Sequence, residues 1–197
     1  MPCAKQGCRR EISSYWYGAS MTDETFTPAQ QALIDVWMRH AAAEFEDKDA
    51  DAAIATMTER PVLIHVPVGT GATGREPLRK FYAETFNPQL PPDIALELVS
   101  RTVGQDRVID EFIIRFTHTA RMDWFAPRVE ATGLRLELPH VGVIAFEGDK
   151  IASEHIYWDH ASAMIQLGVL DPARVPALGS EQTGRILNPD AAANRLI

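Results

Sequence analysis

The sequence predicts an α+β fold, a curved antiparallel sheet wrapped around N-terminal helices. Two observations predict it. Near the start, Leu33, Ile34, Trp37, Ala41 and Phe45 recur at helical spacing. From Ile94 the period switches to two, through segments that read as two successive hairpins. A sheet that curves over helices on its concave side encloses a conical cavity, and a ligand would sit there.

The elements follow in order. Residues 1–26 show no periodicity and read as an N-terminal arm. Thr27, Pro28 and Gln30 mark a helix start: a capping Thr, Pro in the first turn, Gln three residues on. That helix runs to about Asp47, and Asp49 caps a short second one through Ile54 and Met57. Pro61 to Val68 reads as a strand with Leu63 and His65 on one face. Gly69, Gly71 and Gly74 have the spacing of a dinucleotide-binding loop, but no strand–helix–strand unit of a parallel sheet surrounds them, so a turn is expected. A helix over 75–86 ends in the three prolines before Ile94. Residues 94–103 and 107–118 form the first hairpin. An excursion over 119–134 carries Trp124 and Phe125, and 135–147 and 150–158 form the second hairpin. A helix runs to about Leu170, which closes a domain over 27–170. Residues 171–197 form a C-terminal tail, packed on the domain or on a partner subunit.

Composition excludes several classes. Of 197 residues, 46% are hydrophobic and 23% charged, as in ordinary one-domain proteins. Nineteen Lys and Arg stand against 27 Asp and Glu, a net charge of -8 with no basic cluster, so no nucleic-acid partner is expected. No apolar run has the length of a membrane span, and the first residues lack a secretory apolar stretch, so no membrane partner and a cytoplasmic location are expected. Cys3 and Cys8, separated by four residues and with no second pair, read as free thiols of the arm.

Several short motifs recur together. They are Asp110-Glu111-Phe112, Phe116-Thr117-His118, Met122-Asp123-Trp124 and the run Lys150-Ile151-Ala152-Ser153-Glu154-His155-Ile156-Tyr157-Trp158-Asp159. Gln166-Leu167-Gly168-Val169-Leu170-Asp171-Pro172 and the terminal Asn194-Arg195-Leu196-Ile197 belong with them. With the helix–helix–strand–helix–four-strand order, the chain from Thr27 onward resembles the SnoaL-like polyketide cyclases of the NTF2-like, or cystatin-like, superfamily. The subgroup it is most similar to is often labelled carboxymethylenebutenolidase-like. One departure is His160, where that subgroup usually has Gln. The resemblance implies a cone-shaped fold and chemistry without metal or other cofactor. It also implies a general base at Asp159, the position matching the Asp that ends the last strand in the cyclases.

A carboxylate held in an apolar cavity gains basicity toward working pH, which is what such a base needs. Trp124, Tyr157 and Trp158 would wall it, with Trp37 and Tyr82 from the helices. Asp159 also stands where the following helix needs an N-cap, and the two roles can coexist. His118 and His140 alternate with apolar residues and so face the core, as does His65. Each is a polarising acid or a core histidine. No helix carries an H-x-x-x-H or H-E-x-x-H pair, so no metal site is expected among them. Glu111 and Arg115 share the opposite face of their strand, and Glu111 stays a pocket candidate through its motif. In the last strand, Ile151, Ser153, His155, Tyr157 and Asp159 share one face, and His155, Tyr157 and Asp159 are expected to be its pocket side. Ester hydrolysis by a nucleophile is excluded: no G-x-S-x-G or G-x-C-x-G elbow is present. The expectation is a cofactor-free cyclase, isomerase or hydratase acting on a small hydrophobic carbonyl compound, working as a homodimer through the outer sheet face. The alternative is a non-catalytic ligand-binding or dimeric interaction module on the same fold.

Overall fold

The structure, a computed structural model, describes the backbone of residues 16–17 and all of residues 26–197. Cys3, Cys8 and the rest of the arm lie outside the described residues. In chain order the elements are β1 (Trp16–Tyr17), α1 (Pro28–Phe45), α2 (Ala50–Ala55), β2 (Met57–His65), β3 (Thr70–Thr73) and α3 (Arg75–Phe81). After a π-type turn at Tyr82–Phe86 come β4 (Ala95–Val103), β5 (Arg107–Thr117), β6 (Arg135–Glu147), β7 (Lys150–Trp158), α4 (His160–Gln166) and α5 (Glu181–Leu187). One sheet runs in the order β1-β4-β5-β6-β7-β2-β3. β4 to β7 are antiparallel neighbours, while β2 pairs parallel with β7.

Local chemistry sets the helix starts. Thr27 Oγ1 accepts the Gln30 N–H at 3.3 Å, and Gln30 Oε1 accepts the Thr27 N–H at 3.0 Å, a reciprocal cap on α1. Asp49 accepts the N–H groups of Asp51 and Ala52 and starts α2. The glycine run expected to be a turn is half strand: β3 folds back on β2. Gly71 sits at φ 124°, and a Cβ there would collide with the Leu63 carbonyl, so close strand approach, not phosphate binding, requires this glycine. The tail carries α5, a helix not anticipated. It lies on β6, where Thr183 Oγ1 donates to the Glu137 carbonyl at 3.3 Å.

Strand alternation places the core. On β5, Val108, Asp110, Phe112, Ile114 and Phe116 point under the helices. On β6, Leu136, Leu138, His140, Ile144 and Phe146 do the same. Burying each such Leu, Ile or Phe contributes about 1.5–3 kcal/mol. Two bulges break the alternation. Val99 has no partner on β5, because Leu98 pairs with Phe112 and Ser100 with Glu111. Ala152 has none on β6, because Ile151 pairs with Phe146 and Ser153 with Ala145. A bulge sends the residues beyond it to the other face. On the outer face Arg115 lies 2.5 Å from Glu97 and 3.2 Å from Glu137, the cross-strand pairing its parity predicts.

Candidate functional site

The Ala152 bulge decides which side of β7 meets the cone. Ile151 is buried, and simple alternation from it would bring Ser153, His155, Tyr157 and Asp159 inward. The bulge brings Glu154, Ile156 and Trp158 inward instead. The expected pocket face of β7 is therefore the outer face. His155 lies there between Ile64 and Val143. Glu111, Tyr157 and Asp159 line an open outer depression of about 260 Å³ with Val141 and Gln182. Asp159 caps α4: it accepts the Ser162 N–H at 3.2 Å, the Ser162 hydroxyl at 3.1 Å and the Gln182 amide at 2.8 Å. Partial burial raises its carboxyl, but these bonds outweigh that and leave it below the usual range, the wrong direction for a base.

The cone holds a cavity of about 50 Å³. That is room for a few waters or a fragment of a few heavy atoms, well short of a drug-sized pocket. Five of the expected residues line it: Trp37, His65, Trp124, His140 and Trp158. Trp124, on the 119–134 excursion, is packed into the core. It is 3% exposed, 4.8 Å from the Phe86 ring and 5.5 Å from the His65 ring between centroids. His118 is buried but does not line the cavity. Its Nδ1 accepts the Thr132 N–H at 3.3 Å, so it ties the 119–134 excursion to the end of β5.

Hydrogen bonds fix the tautomers of the two lining histidines. Thr70 donates its hydroxyl to the Trp124 carbonyl at 2.7 Å, so at 3.0 Å from His65 Nδ1 it can only accept. His140 Nδ1 lies 3.0 Å from the Leu138 carbonyl and must donate to it. Both rings carry their proton on Nδ1 and keep a lone pair on Nε2. Burial, with His140 nearby, lowers His65 to about 3. Burial lowers His140 to about 4, against the pull of the Leu138 carbonyl. Both are neutral at pH 7. His140 Nε2 and Trp124 Nε1–H are buried without a partner, one an acceptor and the other a donor.

Beside this wall stands a cluster that the sequence reading missed. Glu44 and Glu154 both line the cavity, and His40 lies between them. His40 Nε2 is 3.2 Å from Glu44 Oε1 and 3.0 Å from Glu154 Oε1. The Tyr82 hydroxyl, buried behind the cavity wall, is 3.4 Å from the same nitrogen. On the other side of the ring Nδ1 donates to Thr56 Oγ1 at 2.7 Å, since that hydroxyl donates to the Ala53 carbonyl. Burial pulls His40 down, but the charges of Glu154 and Glu44 outweigh it and hold the ring well above its ordinary value. Burial pushes the Glu154 carboxyl up, and the Glu44 charge adds to this against the opposing pull of His40. Tyr82 is raised by burial and by both carboxylates, so it stays a neutral phenol. Glu154 Oε1 is fully buried and has the His40 imidazole as its charged partner. One donor atom from each of His40, Glu44 and Glu154 lies within 4.8 Å of the others, close enough to share a cation as well as a proton. A sequence signal existed: His40 and Glu44, four apart in α1, flank Ala41 on the buried stripe with Trp37.

A family model described as a SnoaL-like domain matches residues 38–154. No curated protein sequence matches the chain. Among solved structures, one named as a SnoaL-like polyketide cyclase from Jannaschia sp. CCS1 superposes with a TM-score of 0.58 at 15% identity, over 75% of this chain and 99% of that one. One named as a polyketide cyclase from Xanthomonas campestris gives 0.54 at 19% identity, over 71% and 98%. A protein with a ketosteroid isomerase-like fold from Catenulispora acidiphila gives 0.54 at 16% identity, over 69% and 94%.

Proposed function

Because the chain belongs to the SnoaL-like family, we propose that it is an enzyme doing acid/base chemistry on a small hydrophobic carbonyl compound bound in the cone. The observation that carries this reading is Glu154, a fully buried carboxylate at the edge of an apolar cavity whose Oε1 lies 3.0 Å from the His40 imidazole. Glu154 is the proton acceptor. Burial raises its basicity, and His40 keeps the acquired proton inside a bonded cluster. The carboxylate takes the proton next to the carbonyl. The C–H electron pair moves to the oxygen, giving an enolate. Trp124 Nε1–H, with no partner of its own, donates to that oxygen. Return of the proton to a second carbon makes the reaction an isomerisation. Attack of the enolate carbon on an electrophile in the same molecule makes it a cyclisation. The small cavity restricts substrates to short chains or single rings unless the cone widens.

The test is hydrogen–deuterium exchange next to the carbonyl of a panel of small ketones and lactones in D₂O, followed by NMR. Glu154→Gln should slow exchange by roughly 10²–10⁴-fold, the usual worth of a placed base. Equal rates would sink the reading, and loss of parent activity on dialysis against a chelator would replace it with a metal-dependent one.

The homodimer finds support on the outer face, where Ile64, Val66, Ile109, Val141 and Tyr157 are each at least 36% exposed. A monomer in sedimentation equilibrium at micromolar concentration would overturn it.

A further inference from the structure

Trp37 is both a wall of the cavity and the nearest stacked neighbour of His40. Their ring centroids are 5.8 Å apart with planes 19° from parallel. The indole N–H donates to Asp110 Oδ2 at 2.8 Å. Asp110 is fully buried, and Arg101 grips it with both arms of its fork, Nε to Oδ1 at 2.7 Å and Nη2 to Oδ2 at 2.6 Å. The Val99 bulge makes this possible, because beyond it Arg101 pairs directly with Asp110 across β4 and β5. A buried ion pair of this kind is a poor source of stability, and apolar residues of equal volume often serve as well or better. It does give direction: Arg101 neutralises Asp110 and leaves the Oδ2 lone pair facing one indole N–H.

We infer that Asp110 is a positioning residue, acting through Trp37 to hold the His40 imidazole edge-on to Glu44 and Glu154. This rests on the acid/base reading of the cone. Because Arg101 cancels the charge of Asp110, the effect on His40 is one of orientation. Without the anchor the indole can turn about its side-chain bonds, and the stacked imidazole loses the surface that keeps its Nε2 between the carboxylates.

Two variants test this. Asp110→Leu removes the carboxylate that accepts the indole N–H. The pair Arg101→Met with Asp110→Leu keeps packing and removes the anchor. The first measurement is the NMR spectrum of the histidine rings and the indole N–H groups. The Trp37 ring current and hydrogen bond should shift the His40 ring protons and the Trp37 indole proton in both variants, while His65 and His140 stay at their parent positions. The second is the exchange assay, in which the maximal rate should fall at least tenfold with little change in half-saturation. A variant that lowers the unfolding midpoint and leaves the His40 resonances unmoved makes Asp110 merely structural and overturns the inference. So does failure of both variants to fold. The spectra need no substrate, so they decide this point even if no compound exchanges and the functional reading falls.

Discussion

The two ends of the cone treat histidine in opposite ways. His40 is 0% exposed, His140 3% and His65 4%, so burial alone would make all three neutral. His40 is nevertheless held charged, because Glu44 and Glu154 face it at 3.2 and 3.0 Å. His65 and His140 meet a hydroxyl, a carbonyl and aromatic rings, and stay neutral. The difference teaches that neighbours, not depth, set the charge of a buried imidazole. It also divides the cavity into an ionic end that can move protons and a neutral end that can only orient.

The largest effect is expected at the ionic end. His40→Ala would leave two carboxylates buried without their cation and should cost about 3–5 kcal/mol at pH 7, measured by urea unfolding. The loss should shrink as the pH falls, because burial and the Glu44 charge make Glu154 take up a proton more readily than an ordinary carboxylate. A loss under about 1 kcal/mol at pH 7 would mean that the ionic end is not ionic.

A smaller effect, of opposite sign with pH, is expected from the neutral end. His65 and His140 have folded values of about 3 and about 4, below the 6.5 of a free ring. The unfolded chain therefore binds protons first. The stability these rings contribute is present above pH 6.5 and falls as the pH drops toward 4 and 3, by up to about 1.4 kcal/mol per pH unit for each ring. His40 runs the other way: its contribution is complete below pH 6.5 and is lost as the pH rises through its raised value. Urea midpoints from pH 7 to 5 should show a steeper acid loss for the parent than for His140→Phe. Parallel curves would erase the contrast between the ends.

The smallest effect lies outside the cone. Asp159→Ala should cost about 1 kcal/mol through the lost cap on α4, and Asp159→Asn almost nothing. Both should exchange ketone protons at the parent rate. Loss of exchange in Asp159→Asn would move the chemistry to the outer depression.

How much of this was legible in the sequence differs from strand to strand. The bounds of β6 and β7 follow from the alternation and the Gly148-Asp149 turn. α1 and α2 follow from their caps. His65 and His140 could be placed inside because each has apolar neighbours at the right period, whereas Trp124 lies in an excursion that has no period. β7 could not. Its composition is polar on both faces, so periodicity gave two answers, and the Ala152 bulge that chooses between them leaves no mark a single sequence displays. α5 was missed because its short sequence has little periodicity, and its position comes from bonds to β6.

The sequence by itself determined the fold class and the elements that enclose the cavity, because those depend on period and capping, which act over a few neighbouring residues; its short motifs pointed to the family by resemblance. Tertiary structure alone decided which carboxylate enters the cone. Glu154 and Asp159 are five residues apart in one run, and a single unpaired residue sends the first to a buried histidine on α1 and leaves the second capping a helix in water. Charge state followed from that placement, since only the packed chain brings Glu44 and Glu154 together at one nitrogen of one imidazole.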